Sequence, residues 1–184
     1  MTETAYHRSP AELEAGLDGV RAAPRDEGTL ELIVVRPVME EREILDETQL
    51  DLELGVVGDH WLARGRTGGR PANPKAQVTL MSSRAAALVA GERERWPLAG
   101  DQLYVDLDLS DENLPPGTQV AVGDGVLEVT DEPHTGCRKF TARFGLDAMR
   151  FVNSPDGRAL NLRGINARVV EAGTFRVGDP VRKL

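Results

Sequence analysis

Thr118-Gln-Val-Ala-Val122, Gly123-Asp124-Gly125 and Val126-Leu-Glu-Val-Thr130 form the stretch on which the fold turns. Two arms rich in β-branched residues flank three positions that tolerate positive φ, a combination that predicts a β-hairpin. Downstream, Ala167-Arg-Val-Val170, Thr174-Phe-Arg-Val177 and Pro180-Val-Arg182 are separated by Gly173 and Gly178-Asp179, which predicts further strands joined by tight turns. Upstream, Leu30-Glu-Leu-Ile-Val-Val35 reads as a strand stopped by Pro37, and Gln77-Val-Thr-Leu-Met81 as another. Asp101–Asp108 alternates Leu103, Val105 and Leu107 with other residues; it reads as an edge strand offering a dimerisation surface, or else as a strand with a solvated face. Helices punctuate the pattern. Ser9-Pro10-Ala11-Glu12 is a capping box that opens a helix over residues 9–23, with Leu13, Leu17 and Val20 on one face. Ser82 or Ser83 caps a second helix running to about Arg95, and a short third is expected around Thr141–Phe151. The chain is therefore mainly β with a few helices, of the α+β class: a barrel or a sandwich over residues 29–184, preceded by a helical extension over 1–28.

Composition removes several kinds of function. Among 184 residues, 22 Lys+Arg face 30 Asp+Glu, a formal net charge of −8. That balance argues against nucleic acid as a partner, because duplex affinity rests on cations neutralising phosphates. No apolar run approaches the roughly 18 residues a bilayer span needs, and no basic start leads into an apolar stretch. Neither membrane attachment nor export is expected, and the cytoplasm is the expected location. A lone cysteine, Cys137, makes no intramolecular disulfide and no Cys-rich zinc cage.

No phosphate-binding Gly-x4-Gly-Lys-Ser/Thr, no Gly-x-Gly-x-x-Gly after a strand and no His-Glu-x-x-His is present. Attention therefore falls on one thiol, three histidines and two loops. Cys137 lies in Asp131-Glu-Pro-His-Thr-Gly-Cys-Arg-Lys139, where the hairpin's second arm gives way to a loop. Arg138, Lys139 and His134 would favour its thiolate, the form that binds metal or attacks an electrophile; the alternative is an inert small hydrophobe. His134-x-x-Cys137, with His60, also has the residue types of a zinc site or of a Cys–His nucleophile pair. Arg64, Arg66 and Arg70 alternate with Gly65, Gly68 and Gly69, which makes either an anion-gripping loop or a solvated one. Glu112-Asn113 precedes Pro115-Pro116-Gly117 and holds a polar ligand or caps a turn.

Taken in order, these pieces resemble the MOSC domain, the module named for the C-terminal domain of molybdenum cofactor sulfurase. The resemblance is carried by Gly58-Asp59, Gly68-Gly69, Glu112-Asn113, Gly123-Asp124 ahead of Val126–Val129, Cys137-x-Lys139 and the closing Gly173-x4-Gly178-Asp179, over roughly residues 30–183. It implies a MOSC-type β-barrel with the family cysteine at Cys137, serving as a thiolate ligand to molybdenum in a pterin cofactor (molybdopterin) or as a persulfide sulfur carrier. Relatives holding the cofactor reduce N-hydroxylated compounds, so the resemblance implies oxidoreductase chemistry on a small-molecule substrate with an electron-transfer partner. In that reading Cys137 is the metal ligand, Asp59 and His60 relay protons, and Arg64, Arg66, Arg70, Arg138 and Lys139, with Gly68 and Gly69, hold the cofactor's phosphate. Glu112 and Asn113 position polar groups of cofactor or substrate. The sulfur-carrier alternative needs a cysteine desulfurase as partner, since no pyridoxal-binding motif marks a lysine and pyridoxal phosphate is not expected. A third alternative keeps the fold as an inert binding protein. Gly136 stands where the family commonly has Pro, and about 30 residues precede the first strand, where better-known reductases carry an additional β domain.

Overall fold

The structure, a computed structural model, describes residues 7–67 and 71–184, with the side chains of Arg66 and Thr67 also outside it. The expected phosphate contacts at Gly68, Gly69, Arg70 and the Arg66 side chain thus lie outside the described residues. In chain order the strands are β1 (Glu27–Val35), β2 (Glu43–Leu45), β3 (Glu47–Asp51), β4 (Gly55–Val56), β5 (Val78–Ser82), β6 (Leu103–Asp106), β7 (Gln119–Val122), β8 (Gly125–Val129), β9 (Ile165–Glu171), β10 (Gly173–Arg176) and β11 (Pro180–Lys183).

The apolar run of β1 is continuous because both of its faces are covered. Leu30, Ile33 and Val35 join one cluster with Val78, Leu80, Leu103, Val105 and Val129, while Leu32 and Val34 join a second with Met81, Tyr104, Phe140 and Phe144. A register shift between Leu30 and Leu32 in the β1–β6 pairing inserts one residue, so that Leu30 and Leu32 face opposite ways. The first cluster fills a barrel. Seven strands run in the order β11-β7-β8-β9-β5-β6-β1, and β1 pairs back onto β11 to close it, with β2 added outside β1. Antiparallel pairing prevails, and the hairpin at Gly123-Asp124 joins β7 to β8. The exception is β5 beside β6, which are parallel and joined by a helical crossover, as parallel neighbours require. A small sheet, β10-β3-β4, lies apart in the pairing scheme.

Between β5 and β1, strand β6 is interior; it is not the edge strand that its alternation suggested. Leu103, Tyr104 and Val105 are all fully buried, because the helices cover the face that the sequence left open to solvent.

The second cluster is the helical layer. Ser9 forms the expected capping box with Glu12 at the start of α1 (Pro10–Ala15), but Gly16 divides the expected single helix, and α2 (Leu17–Arg21) follows. A Cβ at Gly16 would fall 2.2 Å from a Leu88 methyl, so the glycine permits close approach to the crossover helix. After α3 (Trp61–Thr67), helix α4 (Ser83–Ala90) starts at the Ser82 cap and stops short of Arg95, at Gly91 with φ 75°. A 3-10 segment, Arg93–Ala99, completes the crossover. Helix α5 (Arg138–Val152) is longer than expected and bends sharply at Gly145, whose φ of 90° and ψ of 167° leave the helical region; α6 (Pro155–Ala159) follows.

One glycine ties barrel to loop. Gly164 has φ 107°, and a Cβ there would sit 2.3 Å from the Leu80 carbonyl oxygen and 3.2 Å from Nδ1 of His134. Gly164→Ala is expected to lower unfolding stability by about 2–3 kcal/mol, from left-handed strain plus displacement of β5. A urea midpoint within error of the parent's would refute this.

Candidate functional site

Where β1 ends, Arg36 is gripped by Asp59. The Asp59 carboxylate is fully buried; Oδ2 accepts from the Arg36 backbone N–H at 3.0 Å and from Nε at 2.8 Å, and Oδ1 accepts from Nη2 at 2.9 Å. Oδ1 also accepts from the Trp61 backbone N–H at 2.9 Å, which ties the start of α3 to the end of β1. Both carboxylate oxygens are occupied, so Asp59 works as an anchor, and the expected proton relay has no free oxygen there. Its neighbour His60 faces the cleft: Nδ1 lies 2.5 Å from the Arg36 carbonyl oxygen, which only accepts, so Nδ1 carries the proton and Nε2 is left as acceptor in the neutral ring.

Across the cleft, Cys137 is the N-cap residue of α5 and its thiol is exposed. Partial burial pushes the thiol pKa up, but the backbone N–H groups of Phe140 and Lys139 and the charges of Arg163 and Arg143 outweigh it, so the net shift is downward. The loop before it is fastened by Asn153, whose Oδ1 accepts from the Gly136 N–H at 2.9 Å and whose Nδ2 donates to the Gly136 carbonyl at 3.2 Å. A proline here would leave Asn153 Oδ1 without its donor, and any Cβ would meet Val152 Cγ2 at 3.1 Å, so glycine suits the position.

His134 does not supply the positive charge expected beside the thiol. Burial and the neighbouring Arg163 drive its pKa down to about 4, against a smaller upward pull from Asp101, so the ring is neutral at pH 7. Asp101, fully buried, accepts from Arg163 Nη1 at 2.5 Å, and its Oδ1 lies 3.5 Å from His134 Nδ1. Arg163 also donates to the Ala99 carbonyl at 2.8 Å and stacks 5.2 Å from the Phe140 ring.

These groups border a single cleft of about 350 Å³, within the roughly 300–1,000 Å³ range of small-molecule pockets. Its charge opposes that of the chain. Among the described residues, Arg36, Arg42, Arg64, Lys139, Arg143 and Arg163 line it against one acid, Glu40. Crowding follows from this: burial and then the charges of Arg143 and Arg36 lower the pKa of Arg42.

Of the residues singled out in sequence, Cys137, His60, Arg64 and Lys139 meet here, with His134. Arg138 points to solvent and does not border the cleft. Glu112 and Asn113 are elsewhere: Glu112 pairs with Arg25 at 3.1 Å, and buried Asn113 donates to the carbonyls of Arg25 and Asp108 and accepts from Lys183. They stitch the segment before β1 to the end of β11. Arg36, Arg42, Arg143 and Arg163 went unnoticed, since they come from separate elements and no local motif marks them.

The family model of the MOSC domain matches residues 59–182, which spans most of the barrel and the cleft residues from His60 to Arg163, but not the wall of Arg36, Glu40 and Arg42. This chain belongs to the MOSC domain family. Two solved structures share the MOSC barrel at low identity: the YuaD protein from Bacillus subtilis (TM-score 0.59, 18% identity, covering 84% of this chain and 94% of that one) and YiiM from Escherichia coli (TM-score 0.55, 20% identity, 85% and 69%). At such identities the likeness concerns the fold. Among curated proteins, no relative matches the chain. No helix of the described residues is long and apolar enough to cross a membrane.

His134 makes the stability of this MOSC domain pH-dependent. Its folded pKa lies below the ordinary value of 6.5, so the unfolded chain takes up the proton first. Stability on this account is fully present above about pH 6.5, falls as pH drops toward about 4 and levels off below. His134→Asn is expected to flatten that limb in denaturation curves measured across pH 4–7, and an unchanged limb would refute the assignment.

Proposed function

We propose that this MOSC protein holds a molybdenum–pterin cofactor in the cleft through the Cys137 thiolate and supports reduction of a small N-hydroxylated-type substrate. The observation that carries this reading is a thiol biased toward thiolate at a cation-lined cleft in an otherwise acidic chain.

The donor set fits. Among the described residues no group of three or more His, Cys, Asp and Glu side chains gathers as a metal site. A metal held by Cys137 therefore takes its remaining ligands from a small molecule, which is what a dithiolene pterin provides. Arg64 and Arg36, with Arg42 and Lys139, line the cleft and would hold the cofactor's phosphate by charge-assisted hydrogen bonds. When bound, the cofactor supplies two-electron oxygen-atom transfer. The protein's part is then positioning and proton handling. Asp59 fixes the Arg36 guanidinium, and His60 offers Nε2 to a proton on the substrate. Neutral His134 lines the cleft without adding a charge that would compete with the anion sites. Small substrates enter from solvent, and electrons come from a separate partner protein. The lone thiol suits a reducing compartment, the cytoplasm.

Molybdenum analysis and oxidised-pterin fluorescence, on protein produced in a host that makes the cofactor, test the reading. Both signals should accompany the purified chain, and their joint absence overturns it.

The exposure of Cys137 favours a second reading, a sulfur carrier loaded by a desulfurase, because a partner protein can reach the sulfur. It predicts a mass gain of about one sulfur atom on Cys137 after incubation with a desulfurase and cysteine, and an unmodified mass counts against it.

A further inference from the structure

At the mouth of the cleft, one residue stands out by backbone and by charge. Glu40, in the loop between β1 and β2, has φ 67°, one of two non-glycine residues with positive φ among those described. Its carboxylate spans the cleft to α5: Oε1 contacts Lys139 Nζ, and Oε2 accepts from Arg143 Nη2 at 3.0 Å. It is the only acid on a wall with six cations among the described residues. Of the two cations it meets, Arg143 is also held from elsewhere, whereas Lys139 is an exposed side chain with Glu40 as its contact. Arg143 donates through Nη1 to the Leu98 carbonyl at 2.7 Å, and neighbouring Arg42 donates through Nε to the Pro97 carbonyl at 3.2 Å. Arg143 therefore stays at the cleft mouth when the carboxylate leaves, and the Lys139 ammonium is released to an incoming anion. Leaving is easy, since Glu40 and Lys139 are 56% and 61% exposed and solvent-exposed ion pairs contribute little stability. The loop itself is thinly attached, with Val38 and Met39 side chains in solvent.

The geometry points to the Lys139–Arg143 fork as a binding subsite for a phosphate-class oxyanion, with the Glu40 carboxylate as its resting occupant, displaced when the ligand enters. The inference rests on the reading that the cleft takes an anionic ligand, and it adds that the chain carries its own competitor. A dianion suits the fork better than one carboxylate does, because Lys139 and Arg143 together carry two positive charges against its one. The lowered pKa of Glu40, caused first by its hydrogen bond to Lys139, keeps the competitor charged across the neutral range. Glu40 thus weakens binding of any oxyanion that needs the fork and screens the cleft against weak, monovalent ones.

Calorimetric titration of inorganic pyrophosphate into the full chain, at low salt and without cofactor, tests this. Glu40→Gln should bind pyrophosphate about tenfold tighter than the parent. Glu41→Gln, which makes the same change of net charge one residue away, should stay within about twofold. In a Lys139→Gln/Arg143→Gln background, Glu40→Gln should bring no further gain. Unchanged or weaker binding in Glu40→Gln overturns the proposal, as does an equal gain in Glu41→Gln or in the doubly substituted background, either of which would mark a general charge effect. Circular dichroism identifies a misfolded variant, and Glu40→Asp, too short to span the cleft, then replaces Glu40→Gln with the same expected gain. No molybdenum or pterin enters the titration, so a chain that fails to retain the cofactor can still pass, and one that retains it can still fail.

Discussion

Asp101→Ala is expected to cost about 3–5 kcal/mol of unfolding stability, because it strands a buried guanidinium. The Arg163 side chain is 8% exposed and Asp101 is fully buried, so neither has water to fall back on. Removing the carboxylate leaves Arg163 Nη1 without its 2.5 Å acceptor and lets Nη2 keep only the Ala99 carbonyl. It also removes the carboxylate oxygen that lies 3.5 Å from His134 Nδ1. The damage should reach the cleft as well as the barrel, since Arg163 stacks on Phe140, three residues past Cys137. In a chain of this size the loss corresponds to a drop in Tm on the order of 10 °C. A paired substitution separates charge from packing: Asp101→Leu with Arg163→Met removes both ions and should recover most of the stability while leaving a less positive cleft. A denaturation midpoint for Asp101→Ala close to the parent's would refute the account of this pair.

The same residues show why sequence reading went only so far. The hairpin at Gly123-Asp124 and the apolar run of β1 were legible because local chemistry alone fixes them: turn residues in one case, unbroken β-branched sequence in the other. Strand β6 was not. Gln102, Asp106 and Asp108 interrupt its apolar residues and imitate a solvated face, yet the strand's polar groups are met by other elements. Gln102 Oε1 accepts from the Thr79 N–H and hydroxyl, Asp106 pairs with Arg84, and the Tyr104 hydroxyl donates to the Trp96 carbonyl. Burial of a polar strand is set by long-range satisfaction, which no window of residues displays. The site divides the same way. Cys137 and Lys139 sit in one short motif and His60 beside Gly58-Asp59, so each was legible locally, while their meeting was implied by the family resemblance alone. Arg36, Arg42, Arg143 and Arg163 become a cation wall only after the barrel closes. Asp59, legible as part of the motif, acts one step behind the cleft through Arg36, a distinction only geometry makes.

Cys137→Ser is expected to fold as well as the parent and to lose the cofactor. Cys137 is the N-cap of α5 with no side-chain cap hydrogen bond of its own, and serine is among the best residues there because its hydroxyl accepts from the N–H groups of the first turn. The residue is exposed, so little packing is lost with the sulfur. Denaturation should therefore show equal or slightly greater stability, within about 1 kcal/mol. A hydroxyl stays protonated at neutral pH, so it does not offer the anionic donor that a thiolate does. If the proposed ligation holds, molybdenum content should fall to background and reductase activity by at least about a hundredfold. Cys137→Ala should match it in metal loss but not in stability, since alanine is a poor cap. The pair of variants thus sets stability and metal retention moving independently. A Cys137→Ser protein that keeps its full complement of molybdenum would show that the metal, if bound, is not held by this sulfur.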